Sequence, residues 1–533
     1  MQHKTLPFYK TGYFSTLICD YLAEKPELKP FYNRFPEIDA FQKQIEEKGQ
    51  SFSVETRAIL VSALKNQYQD FETSELTSSH IELLSAENSF TVTTGHQLNL
   101  FTGPLYFLYK IVSAINLSKE LKLKYPESNF VPVYWMATED HDFEEINYFN
   151  FNGKKVQWNR EAAGAVGELS TEGLKAVFEV FSEELGHSSN AEAIKKLFEA
   201  AYLKHDNLAE ATRFLANALF QDYGLVIIDA NDASLKKEFV PYMENELLNQ
   251  VSFKAVSKTN DKLAEVSEDY KIQVNPREIN LFYIAKNLRE RIVFEDGIYK
   301  VLNSNITWNE NDLIKHLKNH PERFSPNVIM RPLYQEVVLP NLCYIGGGGE
   351  LAYWFQLKDF FNEVDVPFPM LLLRNSVLIQ TENQLKKLEN LDISTENLFL
   401  KQSTFINKKV RDVSNIDIDF SKQKKHLQEQ FKGMYELAEQ TDKSFLGAVK
   451  AQEVKQIKGL ENLEKRLLKA QKRKLSDQVL RMTDIQNELF PNKSLQERNT
   501  NFSQFYMEYG ESLIPNLIES LEPLSGEFSI ITL

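Results

Sequence analysis

Ser89-Phe-Thr-Val-Thr-Thr-Gly-His-Gln-Leu-Asn-Leu-Phe-Thr-Gly-Pro-Leu-Tyr-Phe-Leu-Tyr-Lys110 is the stretch on which the fold turns. Phe90, Val92 and the flanking threonines are strand formers. The pattern breaks at Thr94-Gly95-His96-Gln97 and again at Thr102-Gly103-Pro104. An apolar helix then begins, with Thr102 as its cap and Pro104 in its first turn. A strand, a polar loop and a helix N-terminus predict a place where backbone N–H groups meet an anion. Thr94, Gly95, His96, Gln97, Asn99, Thr102 and Gly103 are its candidate binding residues, and His96 is also a candidate catalyst. The bland alternative is a tight turn around a buried histidine. The loop is neither a Walker motif nor a Gly-x-Gly-x-x-Gly fingerprint.

Downstream, Asn129-Phe-Val-Pro-Val-Tyr-Trp-Met-Ala137 is an almost unbroken apolar run, the mark of a strand buried on both faces. It ends in Thr138-Glu-Asp-His-Asp-Phe-Glu-Glu-Ile-Asn147. Strand, helix and strand at this spacing predict a βαβ unit, with both polar clusters at the ligand-binding edge of a parallel sheet. Asp140, His141 and Asp142 place carboxylates beside an imidazole, which suits general base work on an amine or a hard cation. They are the candidate catalytic residues, and a solvated charged loop is the alternative.

The rest of the chain divides around this unit. Residues 1–88 read as a helical segment packing on the core, and 89–147 as the first half of a Rossmann-type sheet. Residues 148–205 read as an insertion with a turn at Asn152-Gly153. Residues 206–375 supply the second half, through Leu225–Ala230, Val337–Ile345 and Pro369–Arg374, with a small antiparallel element over Gln273–Phe294. Gly346 to Gly349, followed by a helix from Glu350, form a third candidate loop, because glycines allow close backbone approach. Gly347, Gly348, Gly349, Glu350 and Tyr353 are taken as binding residues there. Among the arginines at strand ends, Arg277 and Arg331 are the favoured anion forks over Arg289, Arg291 and Arg374. Residues 376–490 change to charged helices with near-heptad apolar spacing, predicting an antiparallel coiled-coil hairpin turning near Thr441. Residues 491–533 read as a tail returning to the core, with Leu495-Gln-Glu-Arg-Asn499 as a specific contact.

At 533 residues, 42% hydrophobic and 12% aromatic, the chain can bury a large core. A net charge of −14 argues against a nucleic-acid surface. Cys19 and Cys343 suggest neither a disulfide framework nor a multi-cysteine zinc site. The N-terminus has no apolar leader pattern and no run would span a bilayer, so a cytoplasmic, membrane-free protein is expected.

Thr94-Gly-His-Gln with Thr102-Gly-Pro-Leu-Tyr106, Pro132 through Asn147, Ser325-Pro-Asn-Val-Ile-Met-Arg-Pro332, Tyr344-Ile-Gly-Gly-Gly-Gly-Glu-Leu-Ala-Tyr-Trp354 and Leu495-Gln-Glu-Arg498 resemble the BshC family, the cysteine ligases of bacillithiol biosynthesis. The resemblance runs along essentially the whole chain. It implies a Rossmann-type core related to class I nucleotidylyltransferases, connecting insertions and a coiled-coil arm that makes a homodimer. It also implies the joining of cysteine to glucosaminyl-malate, with ATP or another nucleotide as the possible activator and no metal assigned. The site it implies lies around Gly95-His96-Gln97, Asp140-His141-Asp142, Arg331 and Gly346–Glu350. The competing readings are an adenylating enzyme with another acceptor, and a nucleotide-binding dimeric scaffold for a separate ligase.

Overall fold

The computed structural model describes residues 2–533. Its apolar runs assemble into one parallel sheet of five strands: β1 (Ser89–His96), β2 (Asn129–Met136), β3 (Val226–Asp229), β4 (Asn341–Gly346) and β5 (Met370–Leu373). They hydrogen-bond in the order β5-β4-β1-β2-β3, every pair parallel. Both faces are covered, which is why β2, β3 and β5 are apolar at nearly every position; β1 is buried too but is built largely of threonines. The helix Tyr106–Lys124 carries the chain from β1 to β2 and is buried over most of its length, including Lys110 and Asn116. The chain steps outward from β1 to β3 in one direction, then returns to β4 on the other side of β1. That reversal opens a crevice between the carboxyl ends of β1 and β4.

The start of the helix differs from expectation. Thr102 sits at φ +68° and does not cap it; the helix starts at Tyr106, with no side-chain cap at Leu105. Two further segments are corrected. The sequence 273–280 contains no strand, and the antiparallel element begins at Leu281–Ala285. Residues Met330–Val338 are helical, so β4 starts only at Asn341.

Residues 1–88 contribute helices Phe41–Ser51, Val54–Gln67 and Glu75–Leu83, but open with a strand, Gln2–Pro7. This strand pairs antiparallel with Glu527–Thr532, which in turn pairs parallel with Val377–Gln380. Its partner lies at the far end of the chain, so no local pattern could reveal the pairing. The insertion opens with a hairpin, Tyr148–Phe151 against Lys154–Gln157. Asn152 and Gly153 turn it at φ +49° and +76°, the left-handed pair that a two-residue hairpin requires. A five-stranded antiparallel sheet over residues 281–326 forms a second wall beside the main sheet.

Beyond Gln380 the chain becomes helical. Helices Ser421–Glu439 and Lys443–Lys474 pack as a hairpin around Phe431, Ala438 and Val449. Asp442 caps the second helix by accepting hydrogen bonds from Ser444 N and Phe445 N. A further helix, Ser476–Leu489, leads back to the core. The tail is fastened by two side chains. Gln496 bonds both backbone groups of Ile379, accepting at 3.0 Å and donating at 2.9 Å. Glu497 accepts from Arg374 Nη2 at 2.7 Å, Arg374 Nη1 at 3.1 Å and Val377 N at 3.0 Å. Among the described residues no helix is long and apolar enough to cross a membrane.

Candidate active site

The crevice at the strand-order reversal holds a cavity of about 340 Å³. The end of β1 supplies Gly95, His96 and Gln97; the end of β2 supplies Trp135 through Asp140; β4 and the helix after it supply Tyr344, Glu350 and Tyr353. The antiparallel sheet closes the far side with Arg289 and Pro326–Val328, and Arg331 follows on the helix Met330–Val338. Tyr106 and Lys110 line it from the crossover helix.

Two kinds of charge face this space. On one side Arg331 is half-buried, with its guanidinium over the rings of Tyr344 and Trp135 at 5.5 and 6.0 Å. Its Nη1 donates to the neutral Gln335 Oε1 at 3.1 Å, while Nη2 has no partner. Burial opposes its charge, but Tyr353, Tyr344 and Glu350 around it raise its pKa further. Gly95 leaves room for the neighbouring Tyr344: a Cβ there would lie 3.3 Å from its Oη. Lys110 Nζ lies between Glu350 Oε1 at 2.5 Å and Gly95 O at 2.7 Å, and Tyr344 donates to Glu350 Oε2 at 2.8 Å. Burial lowers the Lys110 pKa against the pull of Glu350.

On the other side stand the acids. Asp140 accepts from Gln97 Nε2 at 3.0 Å and from His141 N at 2.8 Å. Burial would raise its carboxyl, but hydrogen bonds from His141 and Gln97, with the Arg289 charge, hold it down at about 2. It is a fixed anion and a poor proton acceptor. Glu139, one residue away, behaves in the opposite sense. Burial pushes its carboxyl up although Lys236 pairs with it. His141 Nδ1 faces Arg289 Nη1 at 2.7 Å, so the imidazole accepts there and carries its proton on Nε2. Arg289 stacks on Phe282 with its charge centre 4.0 Å from the ring centroid. Asp140, His141 and Asp142 could present three ligand atoms within 4.8 Å of one another to a cation. The Arg289 guanidinium already brings positive charge to the same imidazole.

Several sequence candidates have other occupations. His96 lines the cavity, yet burial and the charges of Lys110 and Arg374 drive its pKa well below the usual range. Its Nε2 has no partner, so it offers a neutral hydrogen-bonding group rather than a base. Thr94 donates to Ile345 O at 2.8 Å and ties β1 to β4. Asn99 donates to Glu145 O at 3.2 Å, and Thr102 is buried away from the cavity lining. Gly103 is required by its backbone: φ is +64° and a Cβ would stand 2.7 Å from Asn99 Cβ. Several backbone groups of this loop are tied up within the protein and are not offered to an anion. Phe101 N bonds Tyr202 Oη and Leu105 N bonds Thr500 O, while Asn501 holds the carbonyls of Phe101 and Gly103.

The glycine run is also corrected. Gly347, Gly348 and Gly349 do not line the cavity. A Cβ on Gly347 would stand 3.6 Å from Glu350 Oε1, and one on Gly348 would press on Ile18 at 3.3 Å. The run lets Glu350 fold back over its own helix start and lets the N-terminal segment pack close. Glu350 and Tyr353 do reach the cavity. Arg277 is exposed, makes no side-chain hydrogen bond and lies off the cavity lining. Lys110, Tyr106, Tyr344, Gln335 and Lys236 were missed. Lys110 had a signal: it is a lone cation inside the apolar run Leu105–Leu117.

A Rossmann-like sheet with a guanidinium and two carboxylates facing one cavity at its switch point is the architecture of an α/β enzyme. Two family models match the chain: the N-terminal Rossmann-like domain of bacillithiol biosynthesis BshC over residues 1–375, and the C-terminal coiled-coil domain of BshC over residues 377–533. The chain belongs to the BshC family. A Flavobacterium johnsoniae relative is 62% identical over 99% of both chains. One from Cytophaga hutchinsonii is 38% identical over 96% of this chain and 95% of its own. One from Bacillus thuringiensis is 26% identical over 97% and 98%. Each bears the name "Putative cysteine ligase BshC".

Proposed function

We propose that this chain joins cysteine to glucosaminyl-malate through an amide bond in bacillithiol biosynthesis. The observation that carries the reading is the pairing of Arg331, a half-buried cation whose enclosed Nη2 is free, with Glu139 and Asp140 across one cavity. Arg331 holds a malate carboxylate. Asp140, kept ionised, attracts the glucosamine ammonium. Glu139, whose carboxyl is raised by burial, takes the ammonium proton. The freed amine then attacks the activated cysteine carbonyl: the C–N bond forms and the C–O bond to the leaving group breaks. Lys110 balances the oxyanion, with Glu350 as its counter-charge. ATP or another nucleotide supplies the leaving group. These roles replace the assignment of the proton-accepting step to Asp140, His141 or His96.

The coiled-coil arm supports assembly. Met434, Leu437, Phe445, Leu446, Val454 and Leu463 stay exposed on it in a single chain. A second copy covering them makes the protein a homodimer, working in the cytoplasm without nucleic-acid or membrane partners.

The test is mass spectrometry of thiols in a deletion strain, with the purified protein assayed on cysteine, glucosaminyl-malate and ATP. Glucosaminyl-malate should accumulate as bacillithiol disappears, and the purified protein should form the amide. Unchanged bacillithiol in the deletion strain would overturn the reading.

A further inference from the structure

Behind the cavity wall a chain of buried polar groups runs from Arg331 to Lys48 on the helix Phe41–Ser51. Arg331 and Gln335 stand one turn apart on the helix Met330–Val338, so their side chains share a face. Gln335 is fully buried. Its Oε1 accepts from Arg331 Nη1 at 3.1 Å, and its Nε2 donates to Glu336 Oε1 at 3.0 Å. Asn341 Nδ2 donates to the same Glu336 oxygen at 2.7 Å, and Lys48 Nζ meets Glu336 Oε2 at 3.1 Å. Lys48 and Glu336 are 1% and 0% exposed, so the two charges answer each other away from water.

Two physical consequences follow. A carboxylate only accepts hydrogen bonds, so Glu336 fixes which end of the Gln335 amide faces it. The carbonyl end is thereby turned on Arg331. The acceptor that holds Arg331 is also neutral. Among the described residues no carboxylate lies within ion-pair distance of this guanidinium, although Glu336 is one residue beyond its holder. The network orients Arg331 without cancelling its charge.

We propose that Gln335 is the positioning residue for Arg331, locked by the Lys48–Glu336 pair, and that this neutral holder sets the site's preference for a substrate carboxylate. The inference rests on the reading that Arg331 binds a malate carboxylate. It also gives the N-terminal helix Phe41–Ser51 a part in substrate binding, through Lys48, without its touching the cavity.

Steady-state kinetics on the full-length enzyme test it, with Gln335→Met, Gln335→Glu and Arg331→Lys compared. Gln335→Met keeps the volume but removes the acceptor. It should raise KM for glucosaminyl-malate about tenfold, the factor that corresponds to about 1.4 kcal/mol, with kcat within about twofold. Gln335→Glu puts a neutralising charge beside Arg331 and should raise KM further. Neither variant should change KM for methyl glucosaminide, an acceptor amine without the malate carboxylates. Arg331→Lys raising KM while Gln335→Met leaves it at the wild-type value would overturn the positioning role. An unchanged KM in Arg331→Lys would overturn the underlying carboxylate reading instead. Should Gln335→Glu fail to fold because of Glu336, thermal-shift titration of Gln335→Met with L-malate decides the matter: loss of the wild-type shift supports the proposal, and a retained shift refutes it.

Discussion

Glu497→Ala is the sharpest test of how the chain's end holds its core. Glu497 and Arg374 are 0% and 3% exposed and meet through two hydrogen bonds, at 2.7 and 3.1 Å. Removing one partner of such a pair strands the other charge out of water and costs about 3–5 kcal/mol. Here the loss is compounded, because Val377 N also donates to Glu497 at 3.0 Å and begins the strand that joins the tail sheet. A buried amide left without an acceptor costs about 1–3 kcal/mol more. The two terms share one side chain and will not add fully, so the expected loss is about 4 kcal/mol or above. Arg374→Met combined with Glu497→Leu removes both charges and should recover about 2 kcal/mol or more of that loss. Denaturant unfolding of Glu497→Ala and of the double variant, followed at the first transition, measures this. Limited proteolysis reports in parallel whether residues 491–533 are released. A Glu497→Ala loss below about 1 kcal/mol would refute the argument, as would a double variant no more stable than the single one.

Three further perturbations follow from the same structure. Asp140 has a folded-state pKa of about 2 against an ordinary 3.8, so its contribution is present above the ordinary value and disappears as pH falls through about 2. The difference corresponds to about 2 kcal/mol; Asp140→Asn should therefore show a flatter stability profile between pH 6 and pH 3, and an identical slope would count against the Gln97, His141 and Arg289 contacts. Leu437→Glu with Phe445→Glu charges the exposed face of the arm. Light scattering should then report a monomer with an unchanged core melting transition; a persisting dimer removes that face from the assembly. Gly103→Ala faces both a positive φ and a Cβ 2.7 Å from Asn99 Cβ, so it should destabilise by about 2 kcal/mol or more, read by thermal unfolding.

The parallel sheet was legible because burial on both faces writes itself into local composition. Phe130 through Met136 and Val226 through Ile228 are apolar for a reason that acts on each residue separately. Asn152-Gly153 was legible for a similar reason, since the turn demands left-handed backbone at those two positions. The strand Gln2–Pro7 was not. Four of its six side chains are exposed, and its ladder partner lies more than five hundred residues away, so neither burial nor spacing marks it.

The site divides along the same line. Its location followed from strand ends, and Arg331, Gln97, Asp140 and Glu350 all reach the cavity. Their roles depend on partners that sequence spacing does not bring together. Asp140 and Glu139 are adjacent acids, yet one is held far below its ordinary pKa and the other above it. The difference comes from Gln97, 43 positions away from Asp140, and from burial around Glu139, whose ion-pair partner Lys236 is 97 positions away. Arg277 and Arg331 looked alike as strand-end cations. Only the fold distinguishes a guanidinium lying in water from one enclosed by Trp135, Tyr344 and Tyr353 with a free donor. A guanidinium with an enclosed, unused donor and no carboxylate at ion-pair distance favours an anion from elsewhere. That preference, more than the glycine loops that first drew notice, supports the proposed carboxylate-bearing substrate.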